Sequence, residues 1–119
     1  MANILVLDDV ADAAALVQRA LARKGHNVVA FTDEELAIAH TRSNPMDLLI
    51  LDIKLKKLSG IQVLQEIKKI HPDVKAIMLT GYPALETARE AGELGAHDYC
   101  VKPIEMEELE EKVARLLGS

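Results

Sequence analysis

The 119-residue chain has one cysteine, Cys100, so no intramolecular disulfide framework can staple it, and the composition suits a reducing cytosol. It also lacks a basic excess: 14 Lys and Arg stand against 19 Asp and Glu, for a formal net charge of −5. An acidic domain without a basic footprint argues against direct nucleic-acid binding. The opening Met-Ala-Asn-Ile-Leu-Val-Leu-Asp-Asp does not read as a secretory signal, since it has no basic n-region and its apolar run ends at two carboxylates. No apolar stretch approaches the ~20 residues of a membrane span. Internal repeats, low-complexity segments and linkers are absent as well. What is there is half apolar and 28% charged, ordinary for a globular domain. A chain this long buries roughly two-thirds of its unfolded surface and holds one core unaided. The expectation is a small, acidic, cytoplasmic, single domain.

Five β-branched or leucine-rich runs, residues 3–7, 27–31, 48–51, 75–79 and 98–101, are too short for helices and show little polar alternation. Each reads as a strand buried on both faces. The stretches between them carry helical spacing. Leu16, Val17, Ala20 and Leu21 share a face, with Gly25 placed as a C′ glycine. Thr32-Asp33-Glu34-Glu35 and Ser59-Gly60-Ile61-Gln62 read as capping boxes that open the second and third helices. Ile61, Leu64 and Ile67 then form one stripe, and Met106, Leu109, Val113, Leu116 and Leu117 another. The segment 84–94 differs. Its inward candidates are Leu85, Ala88, Ala91 and Leu94, and its interior Gly92 costs about 1 kcal/mol relative to alanine. It is expected to be the least firmly held helix. Strict β-α alternation repeated five times predicts an α/β domain, a doubly wound parallel sheet with helices on both faces.

Ligands of such sheets sit outside the carboxyl ends of the strands. Asp8 and Asp9 follow the first strand, Asp52 the third, Thr80 the fourth and Lys102-Pro103 the fifth. Taken singly, Asp8 or Asp9 is explained as a helix cap and Asp52 as a turn residue. Caps do not require five polar residues to converge on one edge. Three carboxylates held close together repel each other and call for a divalent cation. Oxygen ligands that leave room for water suit Mg²⁺, with Mn²⁺ as the alternative. A carboxylate can also act as a covalent nucleophile and form an acyl phosphate. Phosphoryl transfer would then use the metal and a lysine against the non-bridging oxygens, with a hydroxyl as a further donor. Asp52, Lys102 and Thr80 meet that list.

The motifs Ile-Leu-Val-Leu-Asp-Asp (4–9), Asp-Leu-Leu-Ile-Leu-Asp (47–52), Leu-Ser-Gly (58–60), Met-Leu-Thr-Gly (78–81) and Gly-Ala-His-Asp-Tyr-Cys-Val-Lys-Pro (95–103) run through nearly the whole chain. In order and spacing they resemble the receiver domains of response regulators, the CheY-like phosphoacceptor modules of two-component signalling. The resemblance implies a flavodoxin-like (βα)5 fold of strand order 2-1-3-4-5, spanning residues 1–119 with no output domain. It implies that Asp52 is the phosphoacceptor and that Asp9, Asp52 and the Lys54 carbonyl bind Mg²⁺, with Asp8 acting mainly through metal-bound water. Lys102 would contact the phosphoryl group, and the Lys102–Pro103 bond would be cis. Thr80 and Tyr99 would be the switch pair. The implied partners are a sensor histidine kinase or a histidine phosphotransferase and a downstream protein target, with no nucleic acid and no membrane. The chain would be a monomer or weak homodimer, and a signalling switch rather than an enzyme.

Five positions stand out against the family pattern: Lys56-Lys57 stand where Pro-Gly is usual, Gly81 where alanine is commoner, Ile104 where phenylalanine is frequent, and Tyr82 at a position that in the family tunes phosphate lifetime. Without a turn-forming pair, the loop after Asp52 is expected to be more mobile. One of the two ammonium groups folding over the carboxylates is the competing expectation. His26, His40, His71 and His97 share no ligand spacing, and Cys100 reads as a small buried side chain. Glu105, Glu107, Glu108, Glu110 and Glu111 complement a helix N-terminus. Lys54, Lys56, Lys57, Lys68 and Lys69 read as a solvated basic rim. A flavodoxin-like flavin binder is disfavoured because Asp8 and Asp9 would repel its phosphate. A haloacid-dehalogenase-type phosphatase is disfavoured because its Asp-x-Asp motif after the first strand is missing. The serious rival is a receiver domain cut from a longer regulator with a DNA-binding or enzymatic output.

Overall fold

Short apolar strands alternate with amphipathic helices in the computed structural model, which describes residues 2–55, 57–81, 92–93 and 95–118. In chain order these are β1 (Asn3–Leu7), α1 (Ala11–Ala22), β2 (Asn27–Phe31), α2 (Glu34–Ser43), β3 (Leu48–Asp52), α3 (Gly60–Ile70), β4 (Lys75–Thr80), β5 (Asp98–Val101) and α4 (Met106–Leu116). The strands form one parallel sheet of order β2-β1-β3-β4-β5. This is the doubly wound, flavodoxin-like arrangement expected from the alternation. The segment 84–94 lies outside the described residues apart from Gly92 and Glu93.

Alternation along each strand sends successive side chains to opposite faces, so one sheet feeds two cores. Leu5, Leu7, Leu49, Leu51 and Met78 pack with Ala37 and Ile38 of α2 and with Ile61, Leu64 and Ile67 of α3. Ile4, Val6, Leu48, Ile50, Ile77 and Leu79 pack with Val17 and Leu21 of α1 and with Leu109 and Val113 of α4. Burial on both faces holds for β1, β3 and β4 but not for β2 and β5, which are only partly buried. The strand order supplies the reason: β2 and β5 are the edges.

Local signals resolve case by case. Gly25 takes φ 93°, its N–H reaches the Ala22 carbonyl at 3.0 Å, and the His26 N–H reaches Leu21 at 3.5 Å. That is the hydrogen-bond pair of a Schellman stop with Gly25 at C′. Ser59 and Gln62 form the expected capping box, with bonds of 3.1 and 2.9 Å. The second helix is capped one residue later than the pattern suggested. Asp33, not Thr32, is its N-cap and accepts the Leu36 N–H at 3.0 Å. A carboxylate competes well for that position, because it also meets the positive end of the helix dipole.

Candidate functional site

Parallel register brings the carboxyl ends of the strands to one rim. Leu7 lies beside Leu51, Asp52 beside Leu79, and Thr80 beside Val101. Asp52 and Thr80 are the last residues of their strands, and Asp8 and Lys102 the first beyond theirs. Backbone bonds extend the sheet past those ends, with Asp8 N–H donating to Phe31 at 3.1 Å and Lys102 N–H to Thr80 at 2.7 Å. The side chains start from a rigid frame.

Asp8, Asp52 and Thr80 are all buried. The Lys102 ammonium donates to Asp8 Oδ2 at 2.9 Å and to Asp52 Oδ2 at 3.0 Å. The second oxygens do local work: Asp8 Oδ1 accepts the Val10 N–H at 3.0 Å, and Asp52 Oδ1 the Lys54 N–H at 3.3 Å. The turn role expected of Asp52 therefore coexists with the converging cluster, whereas neither Asp8 nor Asp9 caps α1, whose N-cap is Val10 without a side-chain bond. Asp9, half-buried, completes a group in which one carboxylate oxygen from each aspartate lies within 4.8 Å of the others. Burial pushes Asp52 above the usual carboxylate range; the Lys102 ammonium opposes this, and the Asp8 charge adds to it. Burial acts to lower Lys102, but its bonds to Asp8 and Asp52 outweigh that and hold it above its ordinary value. Three carboxylates against one ammonium leave a formal charge of −2 at the rim. An all-oxygen donor set carrying that charge fits a hard divalent cation.

The remaining expected residues lie around this cluster. Thr80 ends β4 beside it, and Lys54 stands two residues after Asp52 with its N–H on that carboxylate. The Lys102–Pro103 peptide is cis. Tyr99 lies on the edge strand β5, 43% exposed, with the Lys112 ammonium 5.5 Å from its ring centre. Cys100 is buried, as expected of a small apolar side chain, and burial pushes its thiol up to about 11, away from thiolate character. Lys56 and Tyr82 lie outside the described residues. Lys57 does not fold over the carboxylates; its ammonium pairs with Asp33 at 3.0 Å. The basic rim is likewise partnered: Lys69 pairs with Glu66, and Lys68 donates to the Val74 carbonyl at 2.6 Å.

Sequence reasoning missed one residue beside this rim. Glu34 is 2% exposed, and its Oε2 accepts the N–H groups of Lys57 at 2.5 Å and Leu58 at 2.9 Å. Within a run of three acidic residues at a helix start, nothing in the pattern separates a buried carboxylate from a solvated one.

Fold and rim together define a doubly wound α/β module with an acidic, lysine-bridged site at its carboxyl edge. The family model for the response regulator receiver domain matches residues 4–114. The chain belongs to that family. It is 33% identical over 116 residues to the transcriptional regulatory protein ZraR of Salmonella typhimurium, covering 98% of this chain and 26% of that protein. It thus spans about a quarter of the length of such curated relatives. Among solved structures, it superposes on the CheY-like receiver domain protein of Methanospirillum hungatei with a TM-score of 0.94, 29% identity, and coverage of 99% and 94% of the two chains. The receiver domain of NtrX from Brucella abortus gives a TM-score of 0.90 at 36% identity, with 98% of each chain covered. Among the described residues, no helix is long and apolar enough to cross a membrane.

Proposed function

We propose that the domain accepts a phosphoryl group on Asp52 from the phosphohistidine of a sensor histidine kinase or a histidine phosphotransferase. The observation that carries this reading is the Lys102 bridge, a single ammonium within 3.0 Å of both Asp8 and Asp52 at the acidic rim. An Asp52 oxygen attacks phosphorus, an O–P bond forms as the P–N bond breaks, and the imidazole leaves with the electron pair. Lys102, whose ammonium lies 3.0 Å from Asp52 Oδ2, would neutralise the non-bridging oxygens with little reorganisation. Asp8, Asp9 and Asp52, with the Lys54 carbonyl, would hold Mg²⁺, which when bound supplies positive charge to the transferring group. Thr80 would turn toward the new oxygens, and Tyr99 would move inward to alter a protein-binding face. The chain works as a switch in the cytoplasm rather than as an enzyme.

Intact mass after incubation with acetyl phosphate and Mg²⁺ tests this. One Mg²⁺-dependent phosphoryl adduct is expected, and it should be absent in Asp52→Ala. An adduct that persists in that variant overturns the assignment. A second reading keeps the chemistry and changes the role: the domain regulates a DNA-binding or enzymatic output in a longer protein. It is favoured by the 26% of ZraR that the chain spans, and the length of the reading frame decides it.

A further inference from the structure

The segment from Asp52 to Gly60 joins β3 to α3 and carries the Lys54 N–H against Asp52. Its far end is fixed tightly, because the Gly60 N–H donates to the Ile53 carbonyl at 2.8 Å. Its middle has no turn-forming pair, since residues 56 and 57 are both lysine. Fixation there comes from another element. Glu34, the first residue of α2, puts one oxygen on two successive amides, 2.5 Å from the Lys57 nitrogen and 2.9 Å from that of Leu58. Asp33 completes the clamp: one oxygen caps α2 through the Leu36 N–H, and the other takes the Lys57 ammonium at 3.0 Å. Burial works against the Glu34 charge, but the Leu58, Glu34 and Lys57 amides outweigh it and hold the carboxyl below its usual range. A buried, ionised carboxylate bound to successive amides fixes backbone direction more firmly than a neutral acceptor does.

We propose that Glu34 is a positioning residue for Asp52, gripping the Lys57 and Leu58 amides so that the loop is held in the geometry that presents Lys54 to the acidic site. This rests on the phosphoacceptor reading of Asp52. The Asp33–Glu34 clamp supplies from α2 the restraint that a Pro-Gly turn would build into the loop itself. The mobility expected from Lys56-Lys57 is countered at Lys57 and Leu58 by these tertiary bonds.

The test compares Glu34→Ala and Glu34→Gln with Val17→Ala, a core change in α1 that lowers stability from the other core, into which no residue of the loop packs. In the metal-free protein, amide exchange at Lys57 and Leu58 should accelerate in both Glu34 variants and stay slow in Val17→Ala. Titration with Mg²⁺ should show affinity falling about tenfold in Glu34→Ala, as for loss of a residue that orients metal ligands, and less in Glu34→Gln. Adding Lys56→Pro and Lys57→Gly to Glu34→Ala should restore much of the affinity, which a purely structural role would not predict. Wild-type exchange at Lys57 and Leu58, or wild-type Mg²⁺ affinity, in both folded Glu34 variants overturns the proposal. Acetyl phosphate labelling of the wild type separates the two readings. No adduct there refutes the phosphoacceptor role, whereas a normal adduct with unaltered Glu34 variants refutes positioning alone.

Discussion

The Lys102 ammonium lies 3.0 Å from Asp52 Oδ2, although fifty positions separate the two residues in the chain. The same nitrogen holds Asp8 at 2.9 Å, so one cation offsets two buried carboxylates from different strands. It does not offset them fully. Asp52 stays above the ordinary carboxylate range because burial and the Asp8 charge together exceed what Lys102 contributes. The rim is therefore electrostatically strained toward an added positive charge or a neutralised aspartate.

The pH dependence of stability follows from that imbalance. A carboxyl whose folded pKa is raised binds its proton more tightly in the native state than in the unfolded one. Stability is then lost as pH rises from the ordinary value of 3.8 through the folded value, and the penalty is complete above it. Asp52→Asn should remove the penalty, so its urea midpoint should exceed that of the wild type at pH 7. The gain should shrink as pH falls toward 3.8. A difference independent of pH counts against this account.

Lys102→Met should act in the opposite sense. It strands Asp8 and Asp52 without their shared cation, and breaking a largely buried pair of this kind costs about 2 kcal/mol once partial exposure of the lysine is discounted. Excess Mg²⁺ should stabilise this variant more than the wild type, because the competing ammonium is gone. Its phosphorylation by acetyl phosphate should slow about 100-fold, the usual loss for a preorganised donor. Chemical unfolding with and without Mg²⁺, together with a mass time course, reads both effects.

Gly60 and Gly81 should respond differently to alanine. A β-carbon at Gly60 would lie 2.1 Å from the Asp52 carbonyl oxygen, while one at Gly81 meets nothing within 4 Å. Gly60→Ala must push α3 away from the end of β3, and a loss of about 3 kcal/mol is expected, with weakened phosphorylation because Asp52 moves too. Gly81→Ala should stay within about 0.5 kcal/mol of wild type. Thermal denaturation of the two variants side by side checks the contrast.

Beryllofluoride, a phosphoryl mimic, should change the surroundings of Tyr99. The ring now lies 5.5 Å from the Lys112 ammonium and is 43% exposed. Inward rotation should remove that contact, shift the Tyr99 ring resonances and alter amide exchange over 81–94. Thr80→Ala should abolish both responses. Unchanged exchange in the wild type would mean that the coupling is absent.

Much of the architecture was legible in the sequence because it depends on neighbours along the chain. Five short apolar runs, the glycine at position 25 and the Ser59-Gly60-Ile61-Gln62 box are local codes, and each appears in place. The rim followed from them: once parallel strands are granted, Asp8, Asp52, Thr80 and Lys102 must end on one edge. The chain pattern could not show which strands are edges. Only the order β2-β1-β3-β4-β5 leaves β2 and β5 half-covered. Nor could it show that Lys102 bridges two aspartates, or that Glu34 turns inward to hold amides 23 and 24 positions away. Periodicity and capping report on a residue's own turn of chain. Which carboxylate is buried, and which cation meets it, depends on how separate elements pack, and only the tertiary structure decides that.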